Sequence, residues 1–476
     1  MSTTVVWLSR SLRLADHPAL IHAAARGAVV PVFVWAPDEE APWEPGGAHR
    51  WWLHESLRAL AADLDARGTR LVLRAGPTAE ALLDAARAAG ADRVVWQSSA
   101  EPHLARRDAA VARTLAEAGL DVRAFAGQLL HDPEAVRTGS GGPYRVFGHF
   151  WRKVQAEVTV DAPLAVPDLA APDAWPASDA LDAFGLTPEA QDGVDWAAGM
   201  RATWTPGEAG AVARLGAFTD HILDGYDGTR DRPGVRGTSM LSPHLHWGEV
   251  SPRAVFAAVA AARVPAGDVA KFRAEVAWRE FSYHVLHHYP ETDERALKPA
   301  FDRFPWRDDP DGFRAWRRGQ TGFPIVDAGM RELRATGWMH NRARLITASV
   351  LTKDLLLPWQ AGARYFWDTL CGGDLANNSM GWQWSAGSGA DAQPFFRVFN
   401  PTGQAERFDA DGAYIRRWVP ELAGLSAKWI HRPAEAPPAV LAAAGVRLGE
   451  SYPRPVVDHA ARRVEALAAL KQTAAG

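Results

Sequence analysis

The sequence predicts a doubly wound α/β domain followed by an all-helical domain, on the strength of three observations. Short β-rich runs alternate with helical patterns as far as about residue 130. Residues 131–204 lose periodicity and fill with Pro, Ala, Asp and Gly, as in VPDLAAPDAWPASD, which reads as a long surface-hugging linker. From 205 to 476 the periodicity is helical only, broken by Gly and Pro. The expected domains are therefore 1–130, a linker over 131–204, and 205–476.

Taken in order, the strand candidates are VVWL (5–8), VVPVFVW (29–35), RLVLR (70–74), RVVWQ (93–97) and DVRAF (121–125). Helical patterns near 18–26, 49–67, 78–89 and 102–118 lie between them, the alternation of a parallel, Rossmann-like sheet. No G-x-G-x-x-G follows the first strand, so an ordinary dinucleotide site is not expected. In the second half the amphipathic stretches DVAKFRAEVAWREFSYHVLHHY (268–289) and GWMHNRARLITASVLTKDLLL (337–357) predict helices, and VVDHAARRVEALAALKQ predicts a last one.

Composition narrows the function classes. With 47% hydrophobic and 23% charged residues over 476 positions the chain reads as soluble and multidomain. Met1–Arg13 carries arginines after a short apolar run, and no apolar stretch is long enough to span a bilayer, so a cytoplasmic, membrane-free protein is expected. A single cysteine, Cys371, cannot supply a structural zinc or an iron–sulfur cluster, so no such metal is expected and any prosthetic group should be organic. A net charge of -4 argues against a uniformly basic nucleic-acid binder but leaves room for a local basic face. The 21 tryptophans exceed what core packing asks for.

Three blocks carry candidate chemistry. GTSMLSPHLHWGEVSPR (237–253) sets Thr238, Ser239 and Ser242 ahead of a helical run, a plausible phosphate cradle, although such a string is more often an N-cap followed by a surface turn. In the second block Glu275 and Trp278 share a helical face beside Arg279 and Glu280, which suits a polar ring-shaped ligand or merely a packed indole. The third, Asp374–Pro401, puts Asp374, Asn378 and Trp382 on one stripe and Trp384 on nearly the opposite side. Core packing accounts for the tryptophans there; it does not account for a buried Asp and Asn.

These blocks, with TTVVWLSRSLRLADHPAL, WREF (278–281), TGFPIVDAGMREL (321–333), GWMHNRAR (337–344), DLANNSMGWQW (374–384) and FRVFNP (396–401), resemble the photolyase/cryptochrome family over essentially the whole chain. The resemblance is greatest to the microbial, class I branch that repairs cyclobutane pyrimidine dimers. It implies an FAD-binding helical domain in which Tyr226, Thr238, Ser239, Leu241 and Ser242 hold the phosphates and ribityl chain. Arg279, Asn341, Arg344, Asp374 and Asn378 would surround the isoalloxazine. It further implies that excited reduced FAD donates an electron to a dimer flipped out of damaged DNA, and that the electron returns once the ring has split. Trp278 and Trp384 would sandwich the dimer, Glu275 and Asn341 would bond the base edges, and Arg342 and Arg397 would meet backbone phosphates. Trp382, Trp359 and Trp306 match the family's flavin-reducing tryptophans.

The family pattern is broken at three places: Met240 where Arg is common, Leu345 where Met is usual, and Gly372 where an acidic residue pairs with Arg344. His103 and Leu104 stand where folate-binding members carry Asn-Glu, so a deazaflavin antenna, or none, is expected rather than a folate. A monomer acting on damaged DNA is the overall expectation. The alternatives are a cryptochrome-type light sensor, although the sequence ends in an ordinary helical pattern rather than a long tail, a (6-4) photoproduct enzyme, and an electron-transfer flavoprotein.

Overall fold

In the first strand, Val5, Val6 and Trp7 leave almost nothing exposed, because both faces of the sheet they belong to are covered. The computed structural model describes residues 2–187, 195–391 and 396–475. Its sheet comprises β1 (Ser2–Leu8), β2 (Gly27–Trp35), β3 (Val72–Ala75), β4 (Arg93–Gln97) and β5 (Asp121–Phe125). All neighbours are parallel, in the order β3-β2-β1-β4-β5. The connecting helices are α1 (Pro18–Ala24), α2 (Gly47–Asp65), α3 (Thr78–Ala89) and α4 (Pro102–Glu117). The chain winds outward from β1 to β3 and then returns to place β4 and β5 on the other side. That reversal makes the ends of β1 and β4 a topological switch point.

Contacts divide the chain into two units: residues 1–221, 239–290 and 371–374 form one, and residues 222–238, 291–370 and 375–476 the other. Within the first unit the loop after β1 is docked on Trp247 and Gly248. Leu12 N–H donates to Trp247 O, Arg13 Nη1 donates to Gly248 O, and the Arg10 guanidinium lies 4.6 Å over the Trp247 ring. Gly248 is required there: its φ is +68°, and a Cβ would meet Arg10 O at 2.2 Å. Residues 131–204 include a helix, Phe147–Glu157, and an isolated bridge from Ala170 to Ala28. Phe147, Phe150, Trp151 and Val154 recur at helical spacing inside FGHFWRKV, a local signal submerged in the Pro/Ala-rich composition around it.

The second unit is helical. Among its described residues the only β-pairing is the bridge Leu448–Tyr452. A core containing Trp316, Met330, Ile346, Trp359, Phe366, Trp382 and Tyr414 joins the helices Pro324–Thr336, Asn341–Ser349, Trp359–Thr369 and Leu375–Ala386. Buried Asp327 is fully engaged by Thr321 N–H and O–H, Gly322 N–H and Tyr452 O–H, which explains the acid in TGFPIVD structurally. Within 337–357 the helix Asn341–Ser349 is capped by His340, whose Nδ1 accepts from Arg342 N–H, and it continues into a π-turn at Val350–Asp354. Among the described residues no helix is long and apolar enough to cross a membrane.

Candidate active site

In the first unit the Ala266–His288 helix carries the WREF block, and its two charged residues have separate tasks. Glu280 is buried, accepts from Leu130 N–H at 2.8 Å and lies 3.2 Å from His131 Nδ1, so it anchors the chain that leaves β5. Arg279 donates to Gln128 O at 3.1 Å, contacts Glu280 and lies 3.9 Å from Asp374. Burial alone would lower its pKa, but Tyr283 and the carboxylates of Asp374, Glu280 and Glu101 raise it. Its Nη2 is buried without a hydrogen-bond partner. Asp374 already accepts from Tyr283 O–H at 2.6 Å, and burial, then Asp374, pushes the tyrosine pKa well above its usual value, so Tyr283 stays a donor. Two buried guanidinium nitrogens, Nε and Nη2, are thus left without a hydrogen-bond partner, a requirement that a polar ligand meets.

Trp278 is half-buried and lies parallel to Phe147, with centroids 3.8 Å apart and an interplanar angle of 10°. Glu275, three residues earlier, is half-buried. Ser239 Oγ accepts from Leu241 N–H at 3.4 Å, Leu241 is buried, and Ser242 is exposed at the start of a short helix, Ser242–His246. Met240 has φ +53°, and Arg214 Nη1 lies 3.8 Å from its sulfur, so a guanidinium stands beside the position where the family's Arg is missing. Gly372 packs against Pro243: a Cβ would lie 2.5 Å from Pro243 Cα, which accounts for the missing acidic side chain.

In the second unit Tyr226 is buried and Thr238 half-buried. Asn341 is exposed at the first turn of its helix, and Leu345 is half-buried. Arg342 is paired with Asp231 at 2.8 Å and stacked 4.2 Å over Phe408, and its Nε is buried without a hydrogen-bond partner. Arg344 donates to Met339 O at 2.8 Å; burial lowers its pKa to about 10, and Glu332 partly offsets this.

Asp374 immediately precedes the Leu375–Ala386 helix, and Asn378 and Trp382 follow one and two turns later, as the sequence spacing predicts. Asn378 Nδ2 donates to Ala363 O at 2.9 Å, and the neighbouring Ser379 Oγ is buried without a partner. Trp382 is buried against Phe366 at 5.0 Å and Trp316 at 6.0 Å; Trp359 is buried in the same core, and Trp306 packs half-buried on it. Trp384 is half-buried, and Arg397 is exposed. Residues 392–395 of the Asp374–Pro401 block lie outside the described residues. Sequence reasoning missed Tyr283, although it stands one turn after Arg279, and Phe147, for which only the FGHFWRKV spacing offered a signal.

The protein thus combines an α/β unit, which holds the buried charged group around Arg279 and Asp374, with a helical unit. Residues 4–171 match the family model described as DNA photolyase, and residues 272–472 match that described as the FAD binding domain of DNA photolyase. A deoxyribodipyrimidine photo-lyase of Agrobacterium fabrum is 48% identical over 98% of this chain and 97% of its own length. Cryptochrome-2 of Arabidopsis thaliana is 39% identical over 96% of this chain and 76% of its own. Among solved structures, a bacterial class III photolyase from Agrobacterium tumefaciens superposes with a TM-score of 0.96 at 47% identity, covering 100% of this chain and 98% of that one. The chain belongs to the DNA photolyase family.

Proposed function

We propose that this protein repairs cyclobutane pyrimidine dimers in DNA with blue light, and that it is a class III rather than a class I photolyase. The photo-lyase relatives and the 47% identity to a class III structure support this reading over a cryptochrome-type sensor or a (6-4) enzyme. The observation that carries it is the buried Arg279–Asp374–Tyr283 group with its unpartnered guanidinium N–H. FAD fits this donor set, and when bound it supplies the light-driven electron. Arg279 and Asp374 would orient the flavin ring together with Asn341, Arg344 and Asn378. Tyr226, Thr238, Ser239, Leu241 and Ser242 would hold the phosphates and ribityl chain. On the substrate side, Trp278 and Trp384 would stack on the flipped dimer, Glu275 and Asn341 would bond the base edges, and Arg342 and Arg397 would position the strand. Trp382, Trp359 and Trp306 would return the flavin to its reduced state.

We read the enzyme as a cytoplasmic monomer with a deazaflavin antenna or none. His103 and Leu104 are buried and offer neither the amide nor the carboxylate of the Asn-Glu pair, which supports that pigment over a folate. Heat-released pigment identifies it by its spectrum, and a folate overturns the antenna reading alone. The test of function is dimer loss from irradiated DNA under blue light with FAD chemically reduced. Flavin binding without any light-dependent dimer loss would overturn it in favour of the sensor.

A further inference from the structure

At the end of the first unit's longest helix, away from the residues assigned above, two histidines meet a glutamate. His287 and His288 form the last turn of Ala266–His288, and Glu134 reaches them from the segment after β5. One ligand-type atom from each of the three lies within 4.8 Å of the others. We propose that Glu134, His287 and His288 form a binding site for a borderline transition-metal ion of the Zn2+, Ni2+ or Cu2+ class.

Four features support the site. A helix C-terminus carries partial negative charge and favours a cation. His288 Nε2 stands 3.2 Å from Pro133 O; a carbonyl only accepts, so Nε2 holds the proton and Nδ1 keeps its lone pair. A ligating imidazole whose other nitrogen donates to a backbone carbonyl is the usual support for metal histidines. The His288 ring is further held edge-on between His284, centroids 4.5 Å apart, and His287, 4.9 Å apart. His287 Nε2 and a Glu134 oxygen already stand 2.8 Å apart, so an ion between them needs only a modest parting of that pair. Tetrahedral zinc, with bonds of about 2.0 Å, sets its ligand atoms roughly 3.3 Å from one another, within reach of small side-chain rotations here. The competitor is Arg137, which pairs with Glu134; both are partly exposed, and a surface pair of this kind holds its partner weakly. Glu134 is exposed, so the ion has an entry path and its remaining positions are open to water.

Imidazole and carboxylate ligands without thiolate rank the ions with Cu2+ ahead of Zn2+ and Ni2+. Binding would tie residues 133–134 to the helix end, and the folded chain would gain stability with metal concentration. The experiment uses the full-length flavin-loaded protein without a histidine tag, stripped with chelator and titrated with Cu2+. Electron paramagnetic resonance is expected to show one ion per chain with coupling to two nitrogens, displaced only by a large excess of Zn2+. His287→Ala and His288→Ala should each weaken binding at least tenfold and abolish the Zn2+-dependent rise in Tm, with flavin content unchanged. No stoichiometric copper, or equal affinity in the wild type and both variants, overturns the site. His287→Asn, which keeps a polar side chain, repeats the comparison if an alanine variant fails to fold.

Discussion

Trp278 shows how one side chain divides between packing and function. One of its faces lies on Phe147, so only the other is left for a base, and the ring is held flat by a neighbour the sequence did not point to. Trp278→Ala is expected to weaken binding to dimer-containing duplex by roughly 1–3 kcal/mol, the worth of one base–aromatic stack. Affinity for undamaged duplex, which depends on phosphate contacts and salt, should hold. Gel-shift titration of both duplexes at fixed salt separates the cases, and equal loss on both would make Trp278 a packing residue. Gly372 gives a second residue-scale test. Restoring the family's acid as Gly372→Asp forces a Cβ to within 2.5 Å of Pro243 Cα. Overpacking of this kind costs about 1–3 kcal/mol, so the variant should melt earlier and retain less flavin than the wild type. A variant with unchanged Tm would mean that Pro243 yields.

The Leu375–Ala386 helix was legible because its polar residues fell on one stripe, yet its packing depends on a partner helix. A Cβ on Gly362 would lie 2.2 Å from Trp382 Cη2, so the absence of a side chain on Trp359–Thr369 is what seats the indole. Lys353, buried on the π-turn, donates to Ala386 O and closes the helix, and burial pushes its pKa well below the usual value. Trp382→Phe keeps a flat ring in this seat and removes the oxidisable indole. Photoreduction of oxidised FAD should slow by more than tenfold in this variant, while repair primed by chemically reduced FAD continues. Transient absorption and a repair assay read the two separately, and loss of primed repair would mark Trp382 as structural. The helix Phe147–Glu157 was obscured for the opposite reason: a short amphipathic pattern within a Pro/Ala-rich stretch is too weak a local signal, and packing on the Ala266–His288 helix stabilises it.

At the scale of the whole molecule, stability should depend on pH through Glu332. Burial raises its pKa to about 7, and hydrogen bonds from Tyr414 O–H and His340 N–H only partly offset this. The folded pKa stands above the unfolded one, so the stabilisation is complete below the ordinary glutamate value of about 4.5 and is lost as pH rises through about 7. The loss amounts to at most about 3 kcal/mol. Tm of the wild type should therefore fall between about pH 5 and pH 8, and Glu332→Gln, which keeps an acceptor, should flatten that slope. Parallel slopes in thermal melts would rule Glu332 out. By itself the sequence determined the strand order of appearance, the helical second half and the family, because periodicity and motif order are local properties of the chain. Tertiary structure alone decided that Phe147 backs Trp278, that Tyr283 holds Asp374, that Pro243 excludes a side chain at 372, and that Tyr414 donates to Glu332. Each joins residues distant in sequence, and burial removes the water that would otherwise satisfy or screen them.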